Sequence, residues 1–273
     1  MADPAAALNR LLDIMAALRD PQYGCPWDLQ QDFASIAPHT LEEVYEVIDA
    51  IEQGGVGQLE SELGDLLFQI VFYARLGQER GDFDFTSITQ GISRKLLHRH
   101  PHVFPDGTLA SAGRKLQMDA EEVAVTWEQI KQVEREQKQQ GPVSRLDDVP
   151  HALPALMRAA KLQKRAATAG YDWKDHRGVL DKLREELVEL EQALVSERQA
   201  DIADEFGDLL FTMVNLSRHL GLNPESALRS ANRKFESRFR AVECLANADS
   251  SELQDLDEAA LDGYWRRAKA GKT

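Results

Sequence analysis

The chain has only two cysteines, Cys25 and Cys244, in 273 residues. They form no CxxC pair, which removes a disulfide framework and a cysteine-ligated zinc site from consideration. Phosphate-cradling glycine motifs are also missing. There is no GxxxxGK[ST], no GxGxxG in a strand–helix setting and no GxSxG, so a P-loop, a dinucleotide fold and a nucleophile elbow are excluded. No apolar run approaches about 18 residues, and MADPAAALNRLLDIMAALRD at the N-terminus is amphipathic with mixed charge, unlike a secretion signal. Basic residues are scarce beside acidic ones: 32 Lys and Arg against 46 Asp and Glu give a net charge of −14. That excess speaks against nucleic acid or an anionic membrane surface as partner. A cytoplasmic protein is expected. The same acidity would repel a phosphate-bearing ligand unless a bound cation intervened.

What is present reads as helix. Hydrophobic residues make up 43% and charged residues 29% of the chain, a globular composition. Leu183, Leu187, Leu190 and Leu194 step by four, three and four, marking one apolar helix face. FGDLLFTMVNLSRHLG reads as a buried helix stopped by Gly221. Alternation of period two does not extend over several segments, so the expected class is all-α.

The chain is also written twice. Glu43, Glu46, Glu62, Asp65 and Phe68 align with Glu186, Glu189, Glu205, Asp208 and Phe211 at a constant separation of 143 residues. Trp27 in GCPWD and Trp173 in GYDW precede the acids of each copy. NRKFESR follows the second set of acids much as SRKLLHR follows the first, and WRRAK resembles WEQIK. Gly141, Pro142, Pro150 and Pro154 break the helical pattern between the copies. Two homologous helical domains are therefore expected, residues 1–138 and 150–273, joined by a linker at 139–149.

Residues three apart on a helix project to the same side, so Glu186 with Glu189 and Glu205 with Asp208 form two pairs. The stretch between them lets one helix end and another return antiparallel, which brings the pairs face to face. Four clustered carboxylates repel one another; either their pKa values rise or a cation binds. Oxygen-only ligands favour Mg²⁺ or Mn²⁺, and Mg²⁺ held by carboxylates keeps positions for water and phosphate. Lys182 stands one turn before Glu186, and Lys234 and Arg238 share a face at i, i+4, all suited to phosphate. Trp265 would stack on a base, close a pocket or simply pack. His100 and His102 read as parts of a structured loop, and Cys25 as a packed thiol.

These features, with GCPWDLQQ, HRHPHVF and LPALMRAAKLQKRA, make the chain resemble two-domain MazG-type nucleoside triphosphate pyrophosphohydrolases over nearly its whole length. The resemblance implies an all-α tandem of pyrophosphohydrolase domains whose helices pair into four-helix-bundle-like cores, usually in a homodimer. It implies Mg²⁺-dependent cleavage of ribo- and deoxyribonucleoside triphosphates to NMP and pyrophosphate. It places metal on Glu186, Glu189, Glu205 and Asp208, and nucleotide on Lys182, Lys234, Arg238 and Trp265. Lys182, Lys234 and Arg238 would stabilise developing charge, and Glu185 is a candidate general base. The first copy has Glu43, Glu46, Glu62 and Asp65 as metal ligands, with Lys95, Arg99 and Trp127 at similar places. It carries His39 in place of Lys182, and a mostly neutral imidazole clamps phosphate less well. The second copy is expected to be the better catalyst. A Mg-nucleotide-binding regulator without turnover is the alternative reading of the same residues.

Overall fold

The computed structural model describes residues 3–113, 118–138 and 144–271. Among them are eleven α-helices and no strand. The chain divides into two compact units, Met1–Gln139 and Gln140–Thr273.

The first unit contains α1 (Pro4–Leu18), a short α2 (Pro26–Gln30), α3 (Phe33–Gln53), α4 (Val56–Arg80), α5 (Phe85–Arg99) and α6 (Ala120–Lys138). Asp32 starts α3 through a capping box with Ser35, and Gly54 ends it in the left-handed conformation. Val56 already opens α4, so the turn is tight and α4 returns along α3 as an antiparallel hairpin. Helix α1 lies on α4, and Met15, Ile36, Val71, Phe72 and Leu76 close the core between α1, α3 and α4.

The second unit contains α7 (Ala155–Thr168), α8 (His176–Ser196), α9 (Gln199–His219), α10 (Pro224–Ala248) and α11 (Glu258–Lys269). Helices α8 and α9 form its hairpin, with α7 against α9 and α10 against α11. Glu197, at φ 53°, makes the left-handed reversal that Gly54 makes in the first unit. Without glycine this costs on the order of 1 kcal/mol. Of the expected linker, residues 139–143 lie outside the described residues. Residues 144–149 pack on the second unit: Val149 is buried, and Arg165 donates to the carbonyls of Arg145 and Asp147.

Helix α9 is covered on one face only. Thr212, Val214 and Asn215 are buried, while Leu210, Phe211 and Met213 remain 41%, 43% and 54% exposed. The apolar run that reads as a buried helix thus has an open apolar side within one chain. Leu187 and Leu194 on α8 and Leu41, Ile51, Leu63 and Ile70 on the first hairpin are exposed in the same way.

Candidate active site

In the second unit, the antiparallel packing of α8 and α9 brings carboxylate oxygens of Glu186, Glu205 and Asp208 within 4.8 Å of one another. Glu186 is buried at 4% exposure, Glu205 is half-buried and Asp208 is exposed. Such a group must attract a cation, and the chain supplies one of its own. The Lys182 ammonium lies 2.6 Å from Glu185, 2.9 Å from Glu186 and 3.9 Å from Glu189. Its hydrogen bonds to Glu185 and then Glu186 push its pKa well above the usual lysine range. Desolvation, followed by the charges of Glu189 and Glu186, pushes that of Glu205 up. A triad of hard oxygen donors, one of them buried and already paired with an ammonium, fits a hard divalent cation.

The four-acid set of the sequence is thus resolved into a triad and a neighbour. Glu189 stands outside the tight group, beside Glu205 and Lys182.

The first unit repeats the triad with Glu43, Glu62 and Asp65, again within 4.8 Å. Desolvation and then Asp65 raise the pKa of Glu43, partly opposed by a hydrogen bond from Gln69. Glu46 lies alongside, its pKa raised by desolvation and by Glu43 and Glu62. Among the described residues, no lysine enters this cluster. His39, at the place of Lys182, lies 3.9 Å from Glu42 and meets the Trp27 ring edge-on at 5.8 Å. Arg99 is bound to Glu134 at 2.5 Å, and Trp127 packs against His100 at 5.9 Å and Lys131 at 4.9 Å. His100 also meets His102 at 5.6 Å, in keeping with a structured loop.

Lys95 has no ion-pair partner among the described residues, so the two units differ at Arg99 and its counterpart Arg238. Lys234 and Arg238 have no ion-pair partner among the described residues. Trp265 on α11 meets Phe235 of α10 at 5.5 Å, and Phe235 stacks on Phe239 at 6.0 Å. Helix α10 thus carries Lys234 and Arg238 together with the aromatic contacts that join it to α11. Sequence spacing places Lys234 and Arg238 on one helix face but does not say which helix that face meets. The sequence reading also missed a cavity beside α9, lined in part by Gln163, Trp173 and Asn215. A signal for it exists: Asn215 is a polar residue in an apolar run, where the first copy has Phe72.

A helical hairpin that converges carboxylates, written twice in one chain, suits a cation-dependent enzyme of the all-α class, and the comparisons with known proteins narrow that class. The family model for the MazG nucleotide pyrophosphohydrolase domain matches residues 31–104, and that for phosphoribosyl-ATP pyrophosphohydrolase matches residues 153–235. The nucleoside triphosphate pyrophosphohydrolase of Escherichia coli (strain K12) is 51% identical over 266 residues, covering 96% of this chain and 97% of that protein. The nucleoside triphosphate pyrophosphohydrolase/pyrophosphatase MazG of Thermotoga maritima is 41% identical over 271 residues, 99% of each chain. A crystal structure of a mazG-related protein from Thermotoga maritima aligns with a TM-score of 0.37 at 26% identity, covering 45% of this chain and 98% of that one. The chain belongs to the MazG family of nucleoside triphosphate pyrophosphohydrolases. That family consists of metal-dependent hydrolases, and both acid clusters of this chain have the composition to hold a metal ion.

Proposed function

We propose that the second unit hydrolyses ribo- and deoxyribonucleoside triphosphates between the α- and β-phosphates, giving NMP and pyrophosphate. The observation that carries this reading is a compact carboxylate triad with the Lys182 ammonium bonded to one of its members. Glu186, Glu205 and Asp208, with Glu189 beside them, would hold Mg²⁺ or, in its place, Mn²⁺, whose charge offsets that of the triphosphate. Lys182 exchanges carboxylate for phosphate oxygen as substrate arrives. Lys234 and Arg238, having no carboxylate to leave, supply donors to the departing pyrophosphate. Glu185 is 57% exposed on its side chain and accepts from Lys182, so it can take the proton of the attacking water once Lys182 turns to phosphate. Trp265 closes the aromatic side of the α10–α11 contact.

The first unit keeps its acids but has His39 for Lys182 and an Arg99 committed to Glu134, which supports the second unit as the better catalyst. The open apolar sides of both hairpins support a homodimer, since bundles of this kind bury such faces between helices. The net charge and the absence, among the described residues, of a helix fit to cross a membrane support a cytoplasmic protein without nucleic-acid or membrane partners.

Turnover of a nucleoside triphosphate panel with Mg²⁺ tests the assignment of roles. Asp208→Ala is expected to lower kcat at least about a hundredfold. Asp65→Ala is expected to leave most of it. Near-normal turnover in folded Asp208→Ala would reject the assignment. Binding of nucleotide without release of pyrophosphate would point to a regulator.

A further inference from the structure

Past the acid triad, α9 runs into a cavity of about 540 Å³ that lies wholly within the second unit. Leu162 and Ala166 of α7, Trp173 of the segment before α8 and Phe211 of α9 give it apolar walls, and Gln163 and Asn215 bring polar groups into it. Both amides are buried, each at 5% exposure. Gln163 Nε2 donates to the Phe211 carbonyl at 2.8 Å, which fixes the amide and leaves Oε1 as an acceptor without a partner. Asn215 Oδ1 accepts from Arg218 at 3.0 Å. Its Nδ2 is then a donor with no partner among the described residues. A buried polar atom without a partner, as Gln163 Oε1 is, is costly, so a ligand that satisfies it gains correspondingly.

The cavity and the acids are joined by two helices. Asp208, Phe211 and Asn215 follow one another at spacings of three and four along α9, and a rise of 1.5 Å per residue puts Asn215 about 10 Å beyond Asp208. Helix α8 runs the other way with Gly178, Lys182 and Glu186 at spacings of four. Gly178 is where Trp173 rests: a Cβ there would meet the indole at 2.6 Å. The cavity therefore lies on the same faces as the acids, at the distance a nucleoside spans.

The first unit supplies an internal control. In its register, Phe72 stands at the place of Asn215, fully buried in the core with the Arg19 guanidinium 5.4 Å from its ring. A side chain fills in one unit the place that is hollow and amide-lined in the other.

We propose that this cavity takes the base of the nucleotide whose phosphates meet the acid triad, with Gln163 and Asn215 reading the base edge; the proposal rests on the hydrolase reading above. Every nucleobase presents a donor and an acceptor side by side on its pairing edge, and the free acceptor of Gln163 and free donor of Asn215 complement such a pair. Enzymes that bind an extruded base likewise combine edge hydrogen bonds with flanking aromatic and apolar walls. The volume suits one heterocycle with part of its sugar. Amino-bearing and keto-bearing bases present donor and acceptor in opposite order, so two amides fixed by their other contacts distinguish the two kinds. Gln163 and Asn215 are thus specificity-determining residues.

The test uses the full chain with Mg²⁺, a nucleoside triphosphate panel, and inorganic tripolyphosphate as a base-free inhibitor. Asn215→Phe, which fills the cavity with the first-unit residue, is expected to raise KM for all the nucleotides at least about tenfold, and Gln163→Met about threefold or more for the kind of base whose donor meets Gln163 Oε1. Tripolyphosphate is expected to inhibit wild type and variants alike. Unchanged KM for every nucleotide in folded Gln163→Met and Asn215→Phe would overturn the proposal. So would a parallel loss of tripolyphosphate inhibition, because the residues would then be serving the phosphates. Should Asn215→Phe fail to fold, Gln163→Met alone decides. Calorimetric titration with nucleoside monophosphates separates this proposal from the hydrolase reading. Binding that is weakened in the variants keeps the base site even if no triphosphate is turned over. Turnover by wild type with monophosphate binding unaltered in both variants keeps the hydrolase and removes the base site.

Discussion

Lys182 shows how one side chain serves two charge states of a site. Without metal its ammonium is the counter-ion of the buried Glu186 carboxylate. Metal would release it to the phosphates. Lys182→Met is therefore expected to destabilise the metal-free protein by about 2 kcal/mol, seen as a lowered melting temperature. Saturating Mg²⁺ should recover most of that loss by mass action. An equal loss with and without Mg²⁺ would show that the ammonium is not the cluster's resident cation. The identity of the acids is legible in the sequence because residue type and a repeated spacing both mark them. The partner of Lys182 is less so: spacing puts it one turn from Glu186, but whether it bonds acid or phosphate depends on what fills the triad. The free atoms of Gln163 and Asn215 are legible only through the hydrogen bonds that fix their other ends.

At the scale of elements, the hairpins follow from short-range signals. Asp32 and Ser35 cap α3, Asp175 caps α8, and the tight turns at Gly54 and Glu197 set the antiparallel register that converges the acids. Periodicity exposes the helices, and the 143-residue repeat exposes their pairing. Neither says that α10 packs chiefly on α11, which brings Trp265 to Phe235. Long-range contact between helices has no spacing rule in a single sequence. Gly178 is one element-level contact with a measurable consequence. Gly178→Ala would drive a methyl into the Trp173 indole, and displacing the ring is expected to cost about 1–3 kcal/mol. Gly207→Ala, on α9 with open space around its Cβ position, should instead be neutral or slightly stabilising. Equal melting temperatures for the two variants would contradict the packing of Trp173 on α8.

For the whole molecule, two helical units each carry an acid triad of the same composition in different surroundings. The first has a packed core at Phe72, a histidine for the lysine and an arginine bound to Glu134. The second keeps a cavity, a lysine bonded at its triad and an Arg238 without an ion pair among the described residues. Both leave apolar hairpin faces open, with Leu194 and Met213 each 54% exposed. Sedimentation equilibrium is expected to give twice the chain mass, and Leu194→Asp with Met213→Asp should shift it towards the monomer. A monomeric wild type at micromolar concentration would leave those faces unexplained.

The central claim is cleavage between the α- and β-phosphates by the second unit. It is tested most directly by incubating the purified protein with Mg²⁺ and a nucleoside triphosphate and separating the products by ion-exchange chromatography. NMP and intact pyrophosphate in equal amounts, lost in Asp208→Ala and retained in Asp65→Ala, is the predicted result. NDP with orthophosphate, or loss of activity in Asp65→Ala alone, would contradict the account.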